Sequence, residues 1–229
     1  MKRPVLPSLF ELLWMAIGAL LTAAGTLLQI PIPHGVLPMV EWNFEPVYVL
    51  SFQLVGWMIT AGVAGARAAC WSQIAYLTLG FLGWGVFTYD SGWQTFQQPS
   101  FGYLLGFVPG AWLCGRTIER VPQPSLSWLA TSCLAGLGVV HICGLTYLLV
   151  RGGGELGLAA TARQYSLYLL VGQIALIPAV VGVIAIARRI LFINGRFIDG
   201  KFIDGKAARD QRPEVRALPE HVKGEDNAW

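Results

Sequence analysis

Long uncharged apolar runs alternate with short polar segments along most of this chain. Because the hydrocarbon core of a bilayer is about 30 Å thick, a helix needs about 20 apolar residues to cross it. The first run is too long for the apolar part of a signal peptide, so we expect it to stay in the mature protein. Six runs pass this length test and predict membrane-spanning helices: 9–30, 46–65, 68–87, 101–118, 126–150 and 165–187.

The composition supports a membrane protein. The 229 residues are 55% hydrophobic and only 13% charged, with a mean hydropathy of +0.56. A soluble domain carries about 25% charged residues, so this chain has too little polar surface for a soluble fold. We expect an all-α integral membrane protein whose membrane domain spans residues 1–190. Residues 191–229 form a basic tail, which we expect to be cytoplasmic and largely disordered.

Lysine and arginine orient the predicted helices. Fourteen of the sixteen fall on the side that holds both termini, and only Arg151 and Arg163 fall on the other. The positive-inside rule therefore places both termini in the cytoplasm, in a multi-pass protein of the plasma (inner) membrane. The loops at 31–45, 84–100 and 151–164 then face outward. Prolines make the first of them an irregular, non-helical crossing.

Catalytic patterns are absent from the sequence. It has no HExxH, GxSxG or Walker A motif, and its four cysteines lie singly in apolar runs without metal-site spacing. We therefore expect no enzyme activity, cofactor, metal site or nucleic-acid partner. Glu11 is acidic within a span, but it lies near an end where it reaches water. The lack of a charge at mid-membrane depth favours a neutral or partly apolar solute, or a transporter that draws its energy from elsewhere.

Four polar residues inside the spans have two explanations. Gln53 and Gln173 lie within about two turns of the predicted outer ends of their helices, so interhelical hydrogen bonding and an outward pocket are equally open. For Gln73 and His141 we favour interhelical hydrogen bonds, each worth on the order of 1 kcal/mol.

Small residues share one face of the first helix. Ala16, Ala19 and Ala23 permit close approach of another helix. Packing within the same chain is the commoner use of such a face, and docking of a second membrane protein is the alternative.

Several motifs occur in the order of one known family. They are Ile30-Pro31-Ile32-Pro33 after the first helix, Gln53, Gly65-Ala66-Arg67, the run from Pro99 to Phe107 (PSFGYLLGF), and His141-x-x-Gly144. Collinear over about residues 9–187, they resemble the BioY family, the biotin-specific substrate-binding (S) components of energy-coupling-factor transporters.

The resemblance implies a six-helix S component that binds biotin at its extracytoplasmic face, with the first outer loop as a lid. It also implies a transmembrane coupling subunit and ATP-binding subunits as partners, although some members act without them. The face carrying Ala16, Ala19 and Ala23 is where such a coupling subunit would dock.

The last helix departs from the family pattern. The family's Pro-Gly-Asp-x-x-Lys is matched by Val171-Gly172-Gln173-Ile-Ala-Leu176, so Gln replaces the acid and Leu the base. Arg163 is the nearest outer cation that would substitute for the lost base. The loop between Gly83 and Pro99 departs as well.

Biotin uptake is the leading hypothesis. A ureido ring needs paired donors and acceptors, and the candidates are Gln53, Asp90, Gln94 and Gln173. A thiophane ring needs apolar and aromatic walls, and the candidates are Trp93, Phe96, Phe101 and Tyr103. The alternatives are an S-component-like protein for a different small vitamin and a non-transport scaffold that has lost its ligand, which the missing acid and base favour. A membrane enzyme ranks third.

Overall fold

The structure, a computed structural model, describes residues 9–33, 46–87, 92–152, 157–191, 195–198 and 201–204. Its helices are α1 (Leu9–Leu27), α2 (Gln53–Phe81), α3 (Phe101–Glu119), α4 (Leu126–Arg151), α5 (Leu158–Ala162) and α6 (Leu169–Leu191). A 3-10 helix covers Gly92–Gln97, and a π-helix at Arg163–Tyr168 joins α5 to α6. The strands are β1 (Gln29–Pro33), β2 (Pro46–Ser51), β3 (Gly195–Ile198) and β4 (Lys201–Asp204).

Helix α2 is a hairpin of two helical arms. Gly65 interrupts it with the non-helical angles φ 87° and ψ 179°. Gln53 Nε2 lies 3.2 Å from the Tyr76 hydroxyl, although 23 residues of straight helix would separate them by about 35 Å. The arms are therefore antiparallel and correspond to the predicted second and third spans. With α1, α3, α4 and the continuous α5–α6 helix, the described residues confirm the predicted six-helix architecture.

The surface of the bundle suits a bilayer. By length and composition, α4 and the helix Leu158–Leu191 are each apolar and long enough to cross a membrane, and α1 contributes a shorter apolar stretch. The 29 residues of α2 are apolar as well, but they are divided between the two arms of the hairpin. Large apolar side chains such as Ile142 and Leu149 are exposed on α4. Exposed tryptophans lie near both ends, Trp84 at one and Trp128 at the other. Tryptophan is enriched at both membrane–water interfaces of membrane proteins, and these two positions fit that preference.

The segments on either side of the first predicted outer loop form a ribbon, whereas residues 34–45 of that loop lie outside the described residues. β1 and β2 pair as an antiparallel ribbon, with Ile30 opposite Leu50 and Ile32 opposite Tyr48. Pro31 lies opposite Val49 and Pro33 opposite Pro46, with a register shift between Ile32 and Pro33. The predicted helices 9–30 and 46–65 are too long here, because α1 ends at Leu27 and α2 begins at Gln53.

Two further helix boundaries differ from prediction. The span predicted at 68–87 ends at Phe81, because Gly83 and Gly85 adopt positive φ angles of 85° and 64° that a helix does not allow. The last span, predicted at 165–187, begins at Leu158 directly after Gly157. Arg163 therefore lies within a helix rather than in a loop.

Polar contacts connect the helices at the predicted cytoplasmic end of the bundle. Glu119 Oε1 accepts a hydrogen bond from the Ala66 amide at 2.6 Å, which places a carboxylate at the start of the second arm of α2. Arg67 Nε lies 3.4 Å from Glu11 Oε1. Arg188 donates to the Gly62 carbonyl at 2.7 Å. These contacts join α1, α2, α3 and α6 at one end.

The small-residue face of α1 packs mainly inside the chain. Ala19 is 5% exposed and belongs to the core, and Ala23 packs against that core. This corrects the expectation that Ala19 is open to a partner, whereas Ala16 is exposed. Docking through Ala16 stays a prediction.

The tandem repeat of the tail forms a ribbon. β3 pairs antiparallel with β4, with Phe197 opposite Phe202, so the first residues of the two FIDGK repeats face each other across the ribbon. The expected disorder near Arg212 lies outside the described residues. The domain boundary at residue 190 stays a prediction.

Candidate ligand-binding site

A cavity of about 140 Å³ lies at the end of the bundle that holds the β1–β2 ribbon and the 3-10 helix. Engineered cavities of about 150 Å³ bind molecules such as benzene, so the space admits a ring system. Its polar lining residues are Ser51, Gln53, Thr95, Gln98, Ser100, Tyr103, Tyr165 and Gln173. Its apolar lining residues are Val49, Leu50, Leu54, Trp57, Phe87, Leu104, Phe107, Leu137, Val140 and Leu169. Among these described residues none is Asp, Glu, Lys or Arg.

A hydroxyl and amide cluster fixes Gln53 at the rim. Its Nε2 donates to Thr26 Oγ1 at 3.0 Å and to the Tyr76 hydroxyl at 3.2 Å. The Tyr76 hydroxyl in turn donates to the Val86 carbonyl at 3.0 Å. Val86 precedes Phe87, which lines the cavity. The cluster thus ties α1, both arms of α2 and the segment after α2 to one wall.

A second cluster crosses the opposite wall. Gln173 Oε1 lies 2.8 Å from His141 Nε2, and His141 Nδ1 lies 3.1 Å from Ser166 Oγ. Ser166 Oγ lies 2.6 Å from the Tyr103 hydroxyl. Four side chains from α3, α4 and the last helix therefore form one hydrogen-bonded relay.

The orientation of the Gln173 amide assigns the protons of this relay. A carbonyl oxygen accepts only, so with Gln173 Oε1 assigned toward the histidine, Nε2 of a neutral His141 carries the proton and Nδ1 accepts from Ser166. Ser166 then accepts from Tyr103. The relay leaves the amide nitrogen of Gln173 as a donor and the Tyr103 oxygen as an acceptor at the cavity that both line.

Stacked aromatic rings support the cavity from outside. Phe96 stacks on Phe81 with ring centroids 4.9 Å apart, and Trp93 stacks on Phe96 at 5.3 Å. Phe101 packs against Phe96 at 4.6 Å. The Tyr147 hydroxyl donates to the Phe96 carbonyl. This aromatic cluster holds the 3-10 helix against α2, α3 and α4.

The structure brings three predicted site residues together. Gln53, Tyr103 and Gln173 line the same cavity. Phe101 is buried in the aromatic cluster and does not line it, whereas Trp93 is 83% exposed. Gln94 and Arg163 are also exposed. Asp90 lies outside the described residues, so its role stays a prediction.

Gln73 and His141 both form the interhelical hydrogen bonds that the sequence analysis favoured for them. Gln73 donates to Thr22 Oγ1 of α1 at 3.0 Å, which confirms its interhelical role. His141 also bonds across helices, but its partner Gln173 lines the cavity. His141 therefore acts as support for the site as well as a packing residue.

Helix spacing carries a signal for several lining residues that were not predicted. Trp57 follows Gln53 by four residues, Phe107 follows Tyr103 by four, and Leu169 lies midway between Tyr165 and Gln173. Residues four apart share a helix face. Adding the residues one helical turn away from Gln53, Tyr103 and Gln173 to the predicted site would have included Trp57, Phe107 and Leu169.

No cluster of three His, Cys, Asp or Glu side chains that would hold a metal occurs in the described part of the chain. The polar groups at the cavity are amides and hydroxyls. The arrangement is therefore suited to binding an uncharged polar group inside apolar walls, which is the usual design of a small-molecule site.

Comparison with known proteins gives this cavity a context. The family model described as "BioY family" matches residues 2–192. The chain is 33% identical over 143 residues to a "Probable biotin transporter BioY" of Lysinibacillus sphaericus, covering 62% of this chain and 66% of that protein. It is 31% identical over 110 residues to a "Biotin transporter BioY" of Thermotoga maritima, covering 47% and 64%. The matches thus span just under two thirds of these two relatives.

A solved structure shares the fold. The crystal structure of the S-component for biotin from an ECF-type ABC transporter matches with a TM-score of 0.58, covering 82% of this chain and 95% of that chain. At 21% identity the likeness concerns the fold. Together with the family match, it confirms the resemblance found in the sequence: the chain is a multi-pass membrane protein that belongs to the BioY family.

Proposed function

We propose that this protein takes up biotin, binding it in the cavity at the outer face of the membrane. The observation that carries the proposal is the convergence of Gln53, Tyr103 and Gln173 on one mostly apolar cavity. Two relatives named as biotin transporters, one of them probable, support it.

The chemistry of the wall matches a cyclic urea. Such a ring presents one carbonyl acceptor flanked by two N–H donors. The relay orients Gln173 as a donor through its amide nitrogen and Tyr103 as an acceptor through its oxygen. The apolar rings of Phe107 and Phe87 offer walls to a thioether ring.

The carboxylate of biotin needs a different contact from the one the sequence suggested. Arg163 is exposed and does not line the cavity. Arg151 reaches the rim instead, because its Nη2 donates to the Gln97 carbonyl at 3.3 Å, next to the lining residue Gln98. We expect the carboxylate to point toward this rim and the ureido ring to lie deeper.

The sequence has no nucleotide-binding motif, so any ATP that drives import is hydrolysed by a partner. The S-component context supports a transmembrane coupling subunit with ATP-binding subunits as partners. The exposed Ala16 on α1 is the candidate contact. Transport by the chain alone is the alternative.

Binding of biotin to the purified full chain in nanodiscs tests the proposal by calorimetry. Gln173→Ala removes the donor and frees His141, so we expect biotin to bind about tenfold more weakly. Gln94→Ala is the matched control, because Gln94 is an exposed amide outside the cavity, and it should bind as the wild type does. If calorimetry detects binding of another vitamin but not of biotin, the protein remains a candidate uptake protein and biotin is rejected as its substrate.

Growth separates uptake from a scaffold role. A biotin auxotroph that expresses the chain should grow on trace biotin, and the Gln173→Ala strain should need more. Growth indistinguishable from the empty vector, with the protein present in the membrane, would favour a scaffold that has lost transport.

A further inference from the structure

The first arm of α2 places a tryptophan at the cavity with an unused donor. Trp57 is 0% exposed and lines the cavity one turn after Gln53. Its ring packs 6.2 Å from that of Phe107, centroid to centroid. The indole nitrogen Nε1 is buried and has no hydrogen-bond partner among the described residues.

An unpaired buried N–H is uncommon in a native protein and calls for a specific explanation. The described residues hold another such atom, Gln73 Oε1, but Gln73 does not line the cavity. Gln73 also keeps two hydrogen bonds through its nitrogen. Trp57 thus combines an orphan donor with a place in the cavity wall.

The chemistry of the missing partner is constrained. An indole N–H can only donate, so the partner is a hydrogen-bond acceptor. The described lining residues carry no formal charge, so no side chain among them forms an ion pair with a ligand. A neutral carbonyl oxygen fits both conditions and matches the donor nitrogen of Gln173.

We propose that Trp57 is a specificity-determining residue, whose Nε1–H donates to the carbonyl oxygen of the ligand's uncharged ring. The inference rests on the proposed function and identifies the ring carbonyl as the group of biotin that Trp57 recognises. It predicts that the site selects a carbonyl at this position against an isosteric donor.

The test compares two ligands on two variants of the full chain in nanodiscs. In 2-iminobiotin the ring carbonyl is replaced by an imino group, which is protonated near neutral pH and donates. Trp57→Phe keeps an aromatic ring and removes the N–H. Trp112→Phe is the control, because Trp112 is exposed on α3 and does not line the cavity.

We expect Trp57→Phe to weaken biotin binding about tenfold and to leave 2-iminobiotin within about twofold of its wild-type value, measured by competition against labelled biotin. The preference for biotin over 2-iminobiotin therefore falls about tenfold, whereas Trp112→Phe keeps it. Equal losses for both ligands would show a packing role and overturn the inference. So would biotin binding that Trp57→Phe leaves unchanged.

A second readout does not depend on the variant's folding. In wild-type protein labelled with ¹⁵N at indole nitrogens, saturating biotin should shift one indole proton downfield, and 2-iminobiotin should not. No such shift overturns the inference while biotin binding itself upholds the proposed function. Failure of the wild type to bind biotin overturns both.

Discussion

His141 Nε2 lies 2.8 Å from the amide oxygen of Gln173, and this contact sets which end of Gln173 faces a ligand. A glutamine amide offers an oxygen acceptor and a nitrogen donor. Because α4 engages the oxygen, the nitrogen is left for the cavity. The position that the BioY family fills with an acid thus becomes a neutral donor, held in place by a histidine from the neighbouring helix.

Breaking this contact should weaken binding without abolishing the fold. In His141→Phe the ring volume is kept, but Gln173 and Ser166 lose their shared partner. A hydrogen bond contributes about 0.5–1.5 kcal/mol, so we expect biotin to bind roughly two- to tenfold more weakly by calorimetry. Gln173→Ala should add little to His141→Phe, because both changes remove the same oriented donor. Fully additive losses would contradict this coupling.

Gly80 controls the position of Phe87 in the cavity wall. A Cβ at residue 80 would overlap the Phe87 ring, whereas a Cβ at Gly182 in α6 meets nothing within 4 Å. Overpacking of this kind costs about 1–3 kcal/mol. We expect Gly80→Ala to lower the melting temperature and the affinity for biotin. Gly182→Ala is the matched helical control: with open space around the new Cβ it should lower neither, and because alanine favours a helix over glycine by about 1 kcal/mol it should raise the melting temperature slightly. Equal losses in the two variants would disprove the argument.

The carboxylate of Glu119 stabilises the reversal between the two arms of α2. It accepts from the Ala66 amide directly after Gly65, whose φ of 87° suits glycine. Loss of a helix-capping side chain costs about 0.5–2 kcal/mol. Glu119→Ala should therefore lower thermal stability by that order, while biotin affinity, set at the other end of the bundle, stays the same.

Gly65→Ala tests the same reversal of α2 by changing the glycine instead of the Glu119 carboxylate. The added Cβ would meet both an unfavourable φ and the Glu119 carboxylate. We expect a larger loss of stability than for Glu119→Ala. A Gly65→Ala protein as stable as the wild type would show that the reversal has been misassigned.

The two alanines of α1 should separate folding from docking. Ala19→Leu introduces bulk into the core and should reduce the yield of folded protein. Ala16→Leu changes an exposed position and should leave folding and biotin binding intact while reducing recovery of a coupling subunit in pull-downs. Undiminished recovery with Ala16→Leu would remove this face from the docking model.

Helix ends explain which site residues the sequence revealed. Gln53, Tyr103 and Gln173 carry polar groups near the ends of apolar spans, where a pocket and interhelical hydrogen bonding are both explanations. Gln53 and Gln173 do both in the structure. The 3-10 helix gave no such guidance. With three residues per turn, it has one face with Thr95 and Gln98, another with Gln94 and Gln97, and a third with Trp93 and Phe96. The stacking of Phe96 on Phe81 turns the first face toward the cavity.

The sequence by itself determined the class of protein, the number of helices and the family. These follow from the length of apolar runs and from motifs that are local in the chain. Tertiary structure alone decided that Ala19 faces inward, that Trp57 borders the cavity and that His141 holds Gln173. In a bilayer both the core-facing and the lipid-facing sides of a helix are apolar, so hydrophobic periodicity does not separate them. Only contacts between residues distant in the sequence show which side meets a neighbouring helix.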